Sequence, residues 1–380
     1  MKCVQTVQNR ANNENGIVLI VALVLLTALT LAGATAFIVA STDLKVGGNF
    51  RTHQTALQVA MAGAEHARET LRASNSASSD STNFSEELAA RVGANGVLNG
   101  YSASTDDSAI VSSNTLASGY TYNAYLTNDS AEGSSNTTDN DGKVMITSVA
   151  TGPNNTKSIV QTTVRLYSFS TSSPAVMYSK DNVTLNGSSI GISGNDGSSC
   201  GNGDLAPVYT KDPATTTTNG SPDLSGSPST PQHGPTDIDL QAYVDELKGG
   251  ANYTLTADSS GSTFGSSTNF VTVYADAAGT QADGELRLNN VDGYGILLVE
   301  GDLQLAGNIN WNGIIIVTGV ITSSGGGSNS KNIQGQIYSG SSSLGDSTIS
   351  GSVVIGYHSC NVKKALSSQP LKVANWKESY

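Results

Sequence analysis

Asp139, Asn140 and Asp141, immediately before Gly142, come nearest in this chain to the spacing of a metal site. Carboxylates and amides so placed can cradle Ca²⁺, and the glycine permits the sharp turn such a loop needs. The bidentate acid that completes a Ca²⁺ loop is missing further on, and Asp-Gly ahead of a strand is the commonest hairpin signal, so a turn is the default reading. Glu300 and Asp302 flank Gly301 after an apolar run, and Glu285 alternates with Arg287. Residues two apart share one face of a strand, where acidic and basic groups could act together on a polysaccharide. Two charges on a strand usually face solvent, however. His358 lies close to Cys360, but a catalytic Cys/His pair needs an orienting third group, and the sequence offers none. The four histidines lack metal-ligand spacing, and no glycine loop follows a strand and opens a helix to hold phosphate. Neither catalysis nor a cofactor is expected, beyond the Ca²⁺ option at Asp139, Asn140 and Asp141.

The elements that would position such groups begin with an apolar segment. From Asn15 to Thr42 there is no charge, and GIVLIVALVLLTALTLAGATAFIVA opens with a glycine after a short polar leader. About 20 apolar residues at a rise of roughly 1.5 Å cross the bilayer core. A transmembrane part is therefore expected over residues 17–40, within a longer helix. Beyond Asp43, the positions Leu57, Ala60, Ala64, Ala67 and Leu71 recur at steps of three and four, with Arg51, His53, Glu65, Arg68, Glu69 and Arg72 on the other faces. That is an amphipathic stripe. One helix over 17–72 is expected, bent or locally melted at Gly47 and Gly48, since each glycine costs about 1 kcal/mol of helix propensity relative to alanine.

The leader ending in Gly16, the apolar GIVLIVALVLLTALTLAG and the following VGGNFRTHQTALQVAMAGAEHARETL resemble the amino-terminal region of PilX-type minor pilins of type IV pilus systems. The resemblance covers residues 14–72. It implies a leader over 1–16, cut by prepilin peptidase between Gly16 and Ile17, methylation of the new amino terminus, and a helix that packs in a filament core. It also implies an inner-membrane precursor that later reaches an extracellular pilus or the cell surface, with other pilins and the assembly machinery as partners. One position departs from the pattern: the fifth mature residue, usually glutamate in pilins, is Val21. A secretory signal peptide, with Lys2 and Arg10 ahead of the apolar run and Ala34-Thr35-Ala36 as its cleavage site, is a competing reading. The uncharged run exceeds the roughly 7 to 15 residues usual there. A plain single-span anchor is another. The amphipathic continuation favours the pilin-like plan over both.

A formal charge of −12, with no Lys/Arg cluster interleaved with aromatics, excludes a nucleic-acid partner. Lys363-Lys364 reads as a solvated end. Gly, Ser, Thr and Asn dominate a chain in which only 13% of residues are charged, as in an extended, turn-rich surface protein. With Cys3 in the leader, Cys200 and Cys360 are even in number for an oxidising compartment, and a disulfide is expected between them. Two free thiols are the alternative, because sequence does not place them within bonding distance.

GYTYNAYLT (119–127), KVMITSVAT (143–151) and KSIVQTTVRLY (157–167) alternate as an antiparallel meander over 119–167. Its apolar face would receive the helix stripe, which makes 17–168 a pilin-like domain. From 169 to 366, short aliphatic runs closed by Gly, Asn-Gly or Gly-Asp read as rungs of a parallel β-solenoid, with a sandwich or jelly roll as alternatives. Within that domain 210–247 reads as an insertion, an exposed loop followed by one short Asp-capped helix at DIDLQAYVDEL. Residues 367–380 remain as a tail. The expected fold class is α+β to mostly β: a long amino-terminal helix, an antiparallel pilin-like sheet and a carboxyl-terminal β-solenoid-like domain. The expected function is a minor pilin that primes assembly or presents an adhesive tip to a receptor or glycan. Its rival is a membrane-anchored surface protein that binds or cleaves a glycan.

Overall fold

A computed structural model describes residues 3–77, 83–102, 107–117, 119–166, 173–198, 200, 203–212, 215–324, 330–341 and 345–379, with residues 3–16 described as helix backbone alone. The ends of the expected third strand at Tyr167 and of the leader at Met1 lie outside the described residues.

Helix α1 runs unbroken from Cys3 to Ala77. It continues as helix through Gly47 and Gly48, so the locally melted turn that was one of the two expectations there does not form. Glycine forgoes propensity but keeps its N–H and C=O, so the hydrogen-bond ladder of so long a helix continues across the pair. The large apolar side chains from Ile17 to Phe50, among them Leu25, Phe37 and Leu44, are exposed. The same helix then changes character: Ala56, Val59, Ala60, Ala64, Ala67 and Leu71 are buried.

That buried stripe lies on an antiparallel sheet. Strands β1 (Val111–Ala117), β2 (Tyr120–Asn128), β3 (Lys143–Thr151) and β4 (Lys157–Arg165) follow one another in order. Alternation puts Val160 and Val164 of β4, with Val144 and Ile146 of β3, under α1, where they join Val59, Ala64 and Leu71 in one core. The short helix α2 (Ser85–Ala89) adds Leu88 to it. The fifth strand of this sheet is Lys372–Ser379, which pairs with β4 through Val373↔Val164 and Trp376↔Thr162. The expected tail is thus a structural strand, and the whole β domain is inserted between β4 and this closing strand. Strand β1 was not anticipated because it carries no alternation; it is bulged, and Ser113 takes a positive φ of 49°.

Between Ala175 and Gly356 the chain forms a 17-stranded sheet. Every pairing between its named strands is parallel, among the described residues. Ser330–Ser339 lies beside Asp302–Val317, and that beside Glu285–Glu300. On its other side, however, Ser330–Ser339 meets Ala175–Ser179, and that strand meets Ala206–Thr210. The first turns laid down after β4 therefore stack against the last. Between them the chain crosses the stack through helix α3 (Leu240–Leu247) and starts again at Tyr253–Leu255. Two further helices follow, α4 (Ala277–Thr280) and α5 (Ser359–Ser367).

Runs such as Ile314, Ile315, Ile316 and Val317 are buried on both faces, because one face meets the interior of the stack and the other is covered by Leu240, Val244 and Leu247 of α3 with Val362 and Ala365 of α5. The stretch read as an exposed loop is different. Thr216–Asn219 pairs with Val183–Asn186, and Asp223–Ser225 with Gly191–Ser193. Each of these strands pairs with one of the named strands on one side only, and its residues are exposed or half-buried, which is why the stretch looked like a loop. The helix expected at the end of that stretch is present, with the Asp239 side chain accepting from the Ala242 N–H at 3.0 Å.

Gly295, Gly313 and Gly335 stand in register on adjacent strands. Gly313 has φ 136°, and a Cβ there would overlap the Gly295 carbonyl oxygen. At this column neighbouring backbones approach too closely for any side chain.

Candidate functional site

Most of the exposed large hydrophobic side chains among the described residues lie on the apolar part of α1. Gly16 is helical, and its surroundings lie outside the described residues; Ile17 is 62% and Val21 52% exposed. The span from Ile17 has a mean hydropathy of 2.8 in its most apolar window, none of it buried.

The acidic turn between β2 and β3 assembles from its own main chain. Glu132, Asp139 and Asp141 bring carboxylate oxygens within 4.8 Å of one another. Asn140 joins the turn through its backbone N–H, which donates to Glu132 Oε1 at 2.9 Å. Asp139 Oδ2 accepts from the Phe84 N–H at 2.8 Å, and Oδ1 accepts from the N–H groups of Asp141 at 3.1 Å and Gly142 at 2.8 Å. Burial raises the Asp139 pKa above the usual carboxylate range, against the pull of these donors. Asp141 Oδ2 meets Lys143 Nζ at 2.6 Å. The turn thus fastens the β2–β3 connection to the start of α2, and a divalent ion held by Glu132, Asp139 and Asp141 would have to displace Lys143 from Asp141. Glu132 escaped the sequence reading because only the closed loop brings it alongside Asp139.

Cys200 and Cys360 are bonded, with Cα atoms 5.3 Å apart and a sequence separation of 160. The bond lies where the first turns of the stack meet the last. Asp196 fastens the same seam: its carboxylate accepts from Ser198 Oγ at 2.7 Å, and from the N–H and Oγ of Ser359 at 3.0 and 2.6 Å. Burial opposes ionisation of Asp196, and these donors outweigh it and lower the pKa. His358 Nδ1 accepts from the Asn361 N–H at 3.3 Å as the cap of α5. With its sulfur in the disulfide, Cys360 has no thiol for a Cys/His pair. Lys363 and Lys364, read as a solvated end, lie within α5, and Lys363 Nζ donates to the Cys200 carbonyl at 3.3 Å.

The paired charges of the polysaccharide reading are each committed elsewhere. Glu300 Oε2 accepts from the Tyr274 hydroxyl at 2.6 Å, and Oε1 from Gln241 Nε2 at 2.6 Å and Lys248 Nζ at 3.0 Å. The bonds from Gln241 and Lys248 tie α3 to the stack. Burial first, and then the bond to the Glu300 carboxylate, push Tyr274 up to about 12. Asp302 Oδ1 accepts from the Val320 N–H at 2.9 Å, closing a bend. Glu285 Oε1 meets Arg287 Nε at 3.0 Å.

The two units are joined by Glu246 of α3, whose Oε1 lies 2.8 Å from the Arg165 guanidinium of β4 and 3.3 Å from Lys372 Nζ of the closing strand. Arg68 of α1 donates to the Leu371 carbonyl at 3.0 Å, and Gln369 Nε2 donates to Thr272 Oγ1. The inserted domain is therefore pinned to the helix and sheet that carry it.

No family model matches the sequence, and no curated protein does. Among solved structures, one similar chain is the competence-associated pilin ComZ from Thermus thermophilus, at 12% identity and a TM-score of 0.26, covering 86% of this chain and 98% of that one. At that score the likeness carries no argument about this protein.

Proposed function

We propose that this chain is a minor subunit of a type IV pilus-like filament, of the PilX-like kind. It is made with a leader over residues 1–16, held in the inner membrane by the helix from Ile17, cut after Gly16 by prepilin peptidase and methylated at the new terminus. It then packs through that helix among other pilins, with the β domain displayed outside to prime assembly or to present an adhesive tip. No catalysis is assigned to it.

The reading is carried by α1. Its first part exposes large apolar side chains such as Leu19, Leu26, Leu31 and Phe37, and the same unbroken helix is buried from Ala56 onward against the sheet. Each such side chain gains roughly 1.5–3 kcal/mol on leaving water, so the exposed length needs lipid or other helices around it. A simple anchor requires only the span. A rod shared between the span and the folded unit suits a subunit that moves from bilayer to filament. We further read the stacked parallel turns of the β domain as coils of a β-solenoid. The parallel pairings and the glycine column support that reading.

The test is to shear filaments from cells and sequence the chain in them by mass spectrometry. A methylated amino terminus at Ile17 in the sheared fraction is expected. A chain confined to membranes, with its leader retained or cut near Phe37, would overturn the proposal and favour the membrane-anchored rival.

A further inference from the structure

Where the end of α1 meets the β domain, distant parts of the sequence line a cleft of about 410 Å³. Arg72 and Ser76 come from α1, Asn269 and Phe270 from the turn before Val271–Asp276, and Lys364 and Ser368 from α5 and its carboxyl end. No carboxylate is among its described lining residues, in a chain with 31 Asp and Glu against 19 Lys and Arg.

The two cations of the cleft are not equivalent. Glu69 engages Arg72 through Nε at 2.9 Å and through a second nitrogen at 2.5 Å, so the guanidinium charge is already met. Lys364 has no ion pair with a described carboxylate. Its ammonium lies over the Phe270 ring, 5.9 Å from the centroid, and such a contact leaves the donors of Lys364 available. Neutral groups share the cleft: the Asn269 amide, the Ser76 hydroxyl, which accepts from Ser367 Oγ at 3.3 Å and keeps its own O–H to donate, and the Ser368 hydroxyl, which donates to the Ala365 carbonyl at 2.7 Å and keeps lone pairs to accept.

One unmatched positive charge among hydroxyl and amide groups complements a small, singly charged anion on a hydroxylated body. We propose that this cleft binds the carboxylate of an acidic sugar residue, with Lys364 facing the carboxylate and Asn269, Ser76 and Ser368 facing ring hydroxyls. Its volume falls within the roughly 300–1,000 Å³ range of small-ligand clefts. Phosphate fits less well, because its second charge finds no cation. The inference does not depend on filament membership, since the cleft lies within the folded part of a single chain.

The test is calorimetric titration of the full chain in detergent micelles with oligogalacturonate, a neutral galacto-oligosaccharide and inorganic phosphate. Oligogalacturonate should bind about tenfold more tightly than the neutral sugar, as expected for a single charge-assisted hydrogen bond. Lys364→Gln should lose about that factor, and Lys364→Arg should keep most of the binding. Asn269→Ala should weaken the saccharide without affecting phosphate. Lys364 and Asn269 are exposed, so neither substitution disturbs the core, and an intact Cys200–Cys360 bond in each variant confirms its fold. Equal affinity for the neutral sugar, tighter binding of phosphate, unchanged binding by Lys364→Gln, or no binding of any probe would overturn the proposal.

Discussion

Glu246 of α3 joins the inserted domain to both β4 and the closing strand. It faces Arg165 and Lys372 as an ion pair rather than through aligned hydrogen bonds, because Oε1 has no donor in hydrogen-bond geometry although both cations are within reach. Burial would raise its pKa, and the two cations more than offset this, so the folded-state value lies below the ordinary 4.5. A lowered folded pKa means that the stabilisation is complete above the unfolded value and is lost as pH falls through the folded one. Thermal midpoints should therefore decline below about pH 4.5, and Glu246→Gln should lower the neutral-pH stability by about 1–2 kcal/mol while flattening that decline. A variant whose acid profile still followed that of the wild type would assign the decline to other carboxylates. Under the filament reading, Val21 acts at the same scale by omission, since an apolar residue there would offer no carboxylate to a neighbouring chain's amino terminus.

Among the elements, two glycine sites that look alike in the sequence have opposite structural consequences. Gly47 stands on an exposed helix, where an added Cβ would meet no atom within 4 Å, so Gly47→Ala should leave the fold intact and gain about 1 kcal/mol of helix propensity. Gly313 stands in the column shared with Gly295 and Gly335, at positive φ and against a neighbouring carbonyl. Gly313→Ala should cost about 2–4 kcal/mol, from backbone strain together with overpacking. Thermal unfolding followed by circular dichroism separates the two, and equal midpoints for both variants would show that the turns do not depend on this close approach.

For the molecule as a whole, the Cys200–Cys360 bond closes residues 200–360, the larger part of the inserted domain, into one loop. Cys360→Ser should lower stability by up to about 5 kcal/mol, the chain-entropy estimate for so long a loop. The hydrogen bonds of Asp196 to Ser198 and Ser359 should nevertheless keep the seam closed near room temperature. Denaturant midpoints measure the loss, and non-reducing peptide maps that recover both thiols free in the wild type would remove its premise. Under the filament reading, the inserted domain would crowd a repeating shaft, and Val21 makes the subunit best tolerated where no neighbour must dock. Few copies per filament, near the distal end, are expected by immunogold labelling; uniform decoration of the shaft would contradict this.

The sequence by itself determined what depends on near neighbours along the chain. The uncharged run and the three-four stripe specified both halves of α1, alternation located β2, β3 and β4, and an Asp cap announced α3, although the cap is Asp239 and not Asp237, where the helix was expected to begin. Tertiary structure decided what depends on partners far apart in sequence. Lys372–Ser379 carries no period of its own and becomes a strand because β4 presents it with an open edge. The order of the stacked turns was not legible either, since short β-branched runs between glycines are nearly interchangeable and only three-dimensional packing sets Ser330–Ser339 beside Ala175–Ser179. Glu132 reaches Asp139, and Arg72 reaches the cleft shared with Lys364, for the same reason: loop closure and domain insertion bring them together, and neither leaves a local signal.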